Sequence, residues 1–215
     1  MIKKVVLDHK GGYYSYRVHN LKADRLCNGF SSLKNYLNEM FTNCPNDYFN
    51  NDLRSSKLKF KLNNLDLHRI SGHEMSDLAK QGLNFNKDMF REAHPKVQVF
   101  LLENDDKTIA MEIPIWINPQ EISEITGIVK AKSPLTGHID VLRVENGKIW
   151  VWDYKPNAFD EKYAATQIYF YALMLSKRAN LSLDDFRCGY FDTNYAYVFK
   201  PDLNMLDNKS LMEFV

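Results

Sequence analysis

The dipeptide Asn146-Gly147 lies between two β-rich runs and leaves residues 137–156, GHIDVLRVENGKIWVWDYKP, little choice but a β-hairpin. Both residues tolerate the positive φ angles of a two-residue type I′ turn, so the strand register follows directly. Glu145 pairs with Lys148, Val144 with Ile149, Arg143 with Trp150, Leu142 with Val151, Val141 with Trp152, and Asp140 with Asp153. The last pair sets two carboxylates opposite each other, with Cβ atoms about 4.5–5.5 Å apart. Like charges so close repel unless a proton or a cation sits between them, and a divalent metal suits two carboxylates best. Lys155, two residues beyond Asp153, shares its face by the period of a strand. Trp150, Trp152 and Tyr154 take the opposite face, the core side. Solvated charges on a half-exposed hairpin would account for either aspartate alone. Two carboxylates and a lysine converging beside an apolar face point to a site.

A chain of 215 residues is long enough to bury one good core around such a hairpin, and a single domain is expected. Its 28 Lys and Arg balance 27 Asp and Glu, so no bulk basic field attracts nucleic acid and any phosphate binding must come from local patches. Cys27, Cys44 and Cys188 are widely spaced and form no C-x-x-C, which argues against a zinc site or a disulfide framework and fits a reduced, cytoplasmic setting. No apolar run is long enough for a secretory signal or a membrane span. The GxGxxG and GxxxxGK[ST] phosphate loops are absent.

In chain order, residues 2–19 read as a first hairpin around Lys10-Gly11-Gly12, and Ser31 or Ser32 can cap a helix carrying Leu33, Tyr36, Leu37, Met40 and Phe41 on one stripe. Residues 43–51 read as a loop. The alternation in KLKFKL, residues 57–62, predicts a strand with three lysines on one face, either tracking a phosphate backbone or protecting a sheet edge. Ser71-Gly72-His73-Glu74 has the form of a capping box, so a helix should begin there with His73 in its first turn. After a short helical piece at 87–93, VQVFLLE (97–103) and TIAMEIPIWI (108–117) are expected as strands that join the central hairpin in an antiparallel meander. Glu112 lies on the second of these and either points into the site or pairs with a basic residue. Lys130 and Lys132 lead into the hairpin, as phosphate contacts or as solvated loop lysines. Asp160 can cap a helix running to about Asn180, on which Gln167 and Tyr171 share a face at i, i+4, continued N-terminally by Tyr163. FRCGYFD and AYVFKP supply a last pair of strands, and residues 207–215 form a weakly amphipathic tail.

GHID, VWDYKP and QIYFY, in that order, resemble the signature GxxD, (D/E)xK and QxxxY of the PD-(D/E)XK nuclease superfamily, and specifically its RecB-like exonuclease branch. The resemblance is strongest over residues 108–201 and thin before His73. It implies an α/β fold, an α+β mixed sheet flanked by helices and built on a restriction-endonuclease-like αβββαβ core. The expected organisation is one domain over 1–215, with an N-terminal elaboration at 1–70, a catalytic core at 71–201 and a tail at 202–215. The implied activity is a divalent-metal-dependent phosphodiesterase acting on DNA, an exonuclease of repair, recombination or defence. The alternative is a catalytically silent nucleic-acid-binding or assembly subunit that retains the fold. Carried over by position, Asp140 and Asp153 resemble the metal-binding carboxylates for Mg²⁺ or Mn²⁺, with the Tyr154 carbonyl as a further ligand. Lys155 resembles the residue that orients or deprotonates the attacking water, and Gln167 and Tyr171 the pair that braces the site. RecB-like members often add a metal-binding histidine from a preceding helix; His73 is the better match and His94 the second choice. Relatives with an iron–sulfur cluster need four cysteines, so the three here predict none.

Overall fold

The computed structural model describes residues 1–126 and 132–206, with side chains at 124–126 outside the description. Its strands are β1 (Ile2–His9), β2 (Gly12–His19), β3 (His68–Ser71), β4 (Thr108–Ile117), β5 (Leu135–Glu145), β6 (Lys148–Tyr154), β7 (Phe186–Phe191) and β8 (Tyr195–Phe199). Its α-helices are α1 (Asn20–Leu26), α2 (Ser31–Glu39), α3 (Glu74–Phe85), α4 (Ala93–Asn104), α5 (Pro119–Thr126) and α6 (Ala164–Ala179). The eight strands form one sheet in the order β1-β2-β4-β5-β6-β7-β8-β3. Neighbours run antiparallel except β6 and β7, whose parallel pairing requires the crossover that α6 supplies. The mixed, helix-flanked sheet matches expectation, with β4, β5, β6, α6 and β7 in the predicted order.

The central hairpin has the register read from Asn146-Gly147, whose φ angles are 51° and 67°, from Glu145↔Lys148 through Val141↔Trp152. Period 2 along β6 then sorts its side chains. Ile149 and Val151 join the core under α6, together with Leu142, Val144, Ile168 and Leu175. Trp152 and Tyr154 face α3 and α4, packing with Met75, Ala79, Val97 and Leu101. The sheet is therefore covered on both faces at its centre, where side chains brought in by strands meet side chains brought in by helix ends.

Several local expectations are corrected. Residues 97–103 are helical, within α4, and Val97 through Leu102 are all buried. A continuous apolar run does not separate a buried helix from a buried strand, and the start of α4 at Ala93 and its length decide for the helix. The stretch 87–93 is turn and loop up to that start. Residues 57–62 alternate as predicted, with Leu58, Phe60 and Leu62 buried and the lysines exposed, but they join no strand ladder. Ser71 ends β3 and does not cap α3; His73 does. Phe30 and Tyr163 occupy the N-caps of α2 and α6 with no side-chain hydrogen bond, so neither Ser31, Ser32 nor Asp160 caps. Asp160 lies instead in a 3₁₀ turn, Ala158–Asp160, and α6 ends as expected with Asn180 in the left-handed region. The short elements α1, β3 and α5 had no distinct signal in the sequence. Residues 127–131 and the tail from 207 lie outside the described residues. Among the described residues no helix is long and apolar enough to cross a membrane.

Candidate active site

Three carboxylates lie in a row across β4, β5 and β6. Asp140 and Asp153 approach one another at the open end of the hairpin, beyond the last recorded pair Val141↔Trp152. The Tyr154 backbone N–H donates to Asp140 Oδ2 at 3.2 Å, which ties the β5 aspartate to the strand that carries its partner. On the other side of β5, the β4 ladder is recorded at Met111↔Val141 and Ile113↔Ile139 but skips Glu112 between them. Glu112 has φ 55°, a left-handed conformation that a non-glycine residue adopts at a cost of roughly 1–3 kcal/mol. Gln98 Nε2, from α4, donates to Glu112 Oε1 at 2.7 Å and holds it there. As to the two alternatives for Glu112, it lies beside the paired aspartates and has no ion pair among the described residues.

The electrostatics record the crowding. Burial, then the charges of Asp153 and Glu112, push the Asp140 carboxyl well above the usual range. Burial also raises Glu112, to about 7, against the Gln98 hydrogen bond that favours its ionised form and with Asp153 adding to the rise. Lys155 Nζ lies 2.6 Å from Asp153 Oδ2, an ion pair with the carboxylate buried. Burial alone would lower the Lys155 ammonium, but Asp153 and Asp140 outweigh it and raise it, so the lysine stays charged.

Lys155 leads on to α6. Its Nζ donates to Gln167 Oε1 at 3.1 Å, and Gln167 Nε2 donates to the Tyr171 hydroxyl oxygen at 2.6 Å. The i, i+4 pair predicted on the helix is therefore a hydrogen-bonded bracket that gives the ammonium a second partner besides Asp153. Tyr171 also explains Gly137: a Cβ there would strike the Tyr171 ring and lie 2.7 Å from Ser55 Oγ. The glycine and the tyrosine are the two sides of one close contact between β5 and α6. Ser55, which takes part in that contact, carried no sequence signal.

The two histidines lie in different surroundings. His73 caps α3, its Nδ1 accepting the Met75 N–H at 3.1 Å, and its surroundings are Trp152, Arg143 and Glu74. Its capping nitrogen is committed and it sits toward the Arg143 end of the sheet, away from the paired aspartates. His94, in the first turn of α4, lies 3.8 Å from Asp140 Oδ2 and packs edge-on to the Tyr154 ring. Burial lowers its pKa despite the nearby Asp153, which favours the neutral ring. This approach depends on α4 beginning at Ala93, which a strand over 97–103 would not provide. Tyr163 sits at the α6 N-cap, where its carbonyl accepts the Gln167 N–H. Lys132 is exposed, and Lys130 lies outside the described residues.

With all three acids ionised, Lys155 leaves an excess of two negative charges in the row, the charge of a divalent cation. Oxygen donors of this kind suit Mg²⁺ or Mn²⁺. Among the described residues no three His, Cys, Asp or Glu side chains are already drawn together as a metal cage. The fit therefore rests on the carboxylate row, whose Asp140 and Glu112 carboxyls are pushed up by burial and by neighbouring acids and would be favoured in the ionised form by a cation. In comparison with known proteins, the family model of the PD-(D/E)XK nuclease superfamily matches residues 65–209. No curated protein matches the chain.

Proposed function

We propose that this chain, which belongs to the PD-(D/E)XK nuclease superfamily and has its restriction-endonuclease-like fold, is a metal-dependent nuclease that hydrolyses phosphodiester bonds in DNA. Within the superfamily we place it in the RecB-like branch, as an exonuclease of repair, recombination or defence. We also read residues 1–215 as one nuclease unit. The observation that carries the reading is the row of Glu112, Asp140 and Asp153 with Lys155 ion-paired into it.

In this reading Asp140 and Asp153, with the Tyr154 carbonyl, hold Mg²⁺ or Mn²⁺, and His94 rather than His73 completes the surroundings. Such a metal, when bound, lowers the pKa of a water and offsets charge on the phosphoryl oxygens. Lys155 is held between Asp153 and Gln167, so its ammonium meets the scissile phosphate already oriented and positions the attacking water. Gln167 and Tyr171 keep the lysine from swinging toward solvent. Glu112, near neutrality by its pKa of about 7, can hold or release a proton beside the reacting phosphate.

Cleavage of end-labelled linear DNA and of circular single-stranded DNA, with Mn²⁺, Mg²⁺ or EDTA, tests the proposal. Metal-dependent cutting that Asp153→Asn abolishes is the expected result, and sparing of the circle identifies an exonuclease. Uncut DNA of every form, in every metal, would contradict the nuclease reading and favour the silent subunit. The histidine assignment has its own check in Mn²⁺ calorimetry. His94→Ala should weaken binding by roughly 10–100-fold, the usual cost of losing a group that orients a ligand. His73→Ala should leave it unchanged, and the reverse pattern would restore His73.

A further inference from the structure

The lysines of residues 57–62 were open to two readings, edge protection or phosphate contact, and the structure removes the first. The segment is anchored at both ends without pairing to any strand beyond one bridge, Arg54↔Thr136. Ser55 Oγ donates to the Thr136 carbonyl at 3.3 Å, and the Phe60 carbonyl accepts the Thr166 hydroxyl at 2.6 Å. Leu58, Phe60 and Leu62 are buried against the core below. With no sheet edge beside them, the lysines protect none.

Between these anchors the segment runs beside the N-terminal half of α6, from Ser55 near Tyr171 to Phe60 at Thr166, the residue before Gln167. Lys57 closes a 3₁₀ turn, Ser55–Lys57, and beyond it the exposed Lys59 and Lys61 alternate with the buried Leu58, Phe60 and Leu62. Lys57 is partly neutralised by Asp52 at 3.4 Å. Among the described residues, Lys59, Lys61 and Lys162 have no ion-pair partner. Lys61 and Lys162 both line a cleft of about 270 Å³, together with Leu62, Leu65, Ala165 and one acid, Glu161.

We propose that Lys59, Lys61 and Lys162 form a ridge that binds the sugar-phosphate backbone of nucleic acid and leads it along α6 toward Lys155. Lys59 and Lys61 precede the span matched by the superfamily, 65–209, and Lys162 lies within it, so the ridge joins this chain's N-terminal part to the start of α6. The proposal rests on the nuclease reading only for its destination; the ridge itself is a matter of clustered, unpaired charge on an almost neutral protein. Each lysine that neutralises a phosphate releases a counterion, which makes binding fall with salt.

Anisotropy of a fluorescein-labelled 20-nucleotide DNA, single-stranded and duplex, is titrated with the full chain in EDTA at several NaCl concentrations. In the Lys59→Ala/Lys61→Ala/Lys162→Ala variant the slope of log K against log salt should shrink by about 2 to 3, at 0.7–0.9 per lost contact. Its melting temperature should stay within about 2 °C of wild type, because the substitutions are on the surface. A control variant, Lys3→Ala/Lys4→Ala/Lys87→Ala, should keep the wild-type slope. An unchanged slope in the ridge variant, an equal loss in the control, or no binding by wild type would each overturn the ridge. Metal-dependent cutting with an unchanged slope would overturn the ridge alone. A lysine-dependent slope without cutting would overturn the nuclease reading and leave the ridge standing.

Discussion

Lys155→Ala is expected to slow DNA cleavage by on the order of 10²-fold or more, the loss that follows removal of one preorganised group from a developing charge. The lysine sits between two demands. Asp153 Oδ2 at 2.6 Å and Gln167 Oε1 at 3.1 Å fix its ammonium, and the neighbouring carboxylates keep it protonated. A group held in this way acts by position and charge, and it acts most where negative charge grows, at the phosphate during attack. The same substitution removes a cation from beside the carboxylates, so Mn²⁺ affinity should hold or tighten while the rate falls. A purely structural lysine would move both quantities in the same direction and lower the melting temperature with them. Single-turnover cleavage and Mn²⁺ calorimetry on the one variant separate these cases, and near-wild-type cleavage would remove Lys155 from the mechanism.

Arg143→Met is expected to cost about 3–5 kcal/mol of stability, the largest effect of any single substitution considered for this fold. Arg143 is fully buried, yet β5 delivers its guanidinium to a cluster of acids. Its Nε lies 2.9 Å from Asp105 Oδ2, and its Nη2 lies 2.8 Å from Glu74 Oε2. Methionine fills most of the volume but leaves Asp105 buried without its cation, and that uncompensated charge is the source of the cost. Adding Asp105→Leu should recover much of the loss, since a whole buried pair exchanged for apolar groups is often neutral. Urea melts at pH 7 measure both variants, and a loss below 1 kcal/mol for Arg143→Met alone would show the cluster to be solvated.

The acid limb gives this second prediction a further check. Burial alone would raise the Glu74 carboxyl, but hydrogen bonds from Arg143 and then Lys107 bring it from 4.5 to about 2. Because the folded value is the lower one, its stabilisation is complete above about pH 4.5 and is lost as pH falls through about 2. Glu74 is half exposed, so its share is a small fraction of the cluster. Between these pH values the decline in wild-type stability should be steeper than in Arg143→Met, where the chief cause of the depressed value is gone.

The hairpin was legible from sequence because its determinants are local. Asn146-Gly147 allows one turn, the turn fixes the register, and the register with period 2 sets Asp140, Asp153 and Lys155 on one face. Gln167 and Tyr171 were legible for the same reason, as an i, i+4 pair on one helix. What joins them is not local: that Lys155 Nζ reaches Gln167, or that Tyr171 packs on Gly137, depends on where the α6 crossover sets the helix over β5. Residues 97–103 could not be assigned from an apolar run that serves a buried helix and a buried strand equally well. With that ambiguity went His94, whose approach to Asp140 needs the α4 start. Glu112 depended on a break in the β4 ladder opposite Asp140, and Arg143 on acids from α3 and the end of α4. Hydrogen-bond register and helical period act over a few residues and are written in the sequence around them. Charge pairing and close packing act over a few ångströms, between residues that only the completed sheet and its crossing helices bring together.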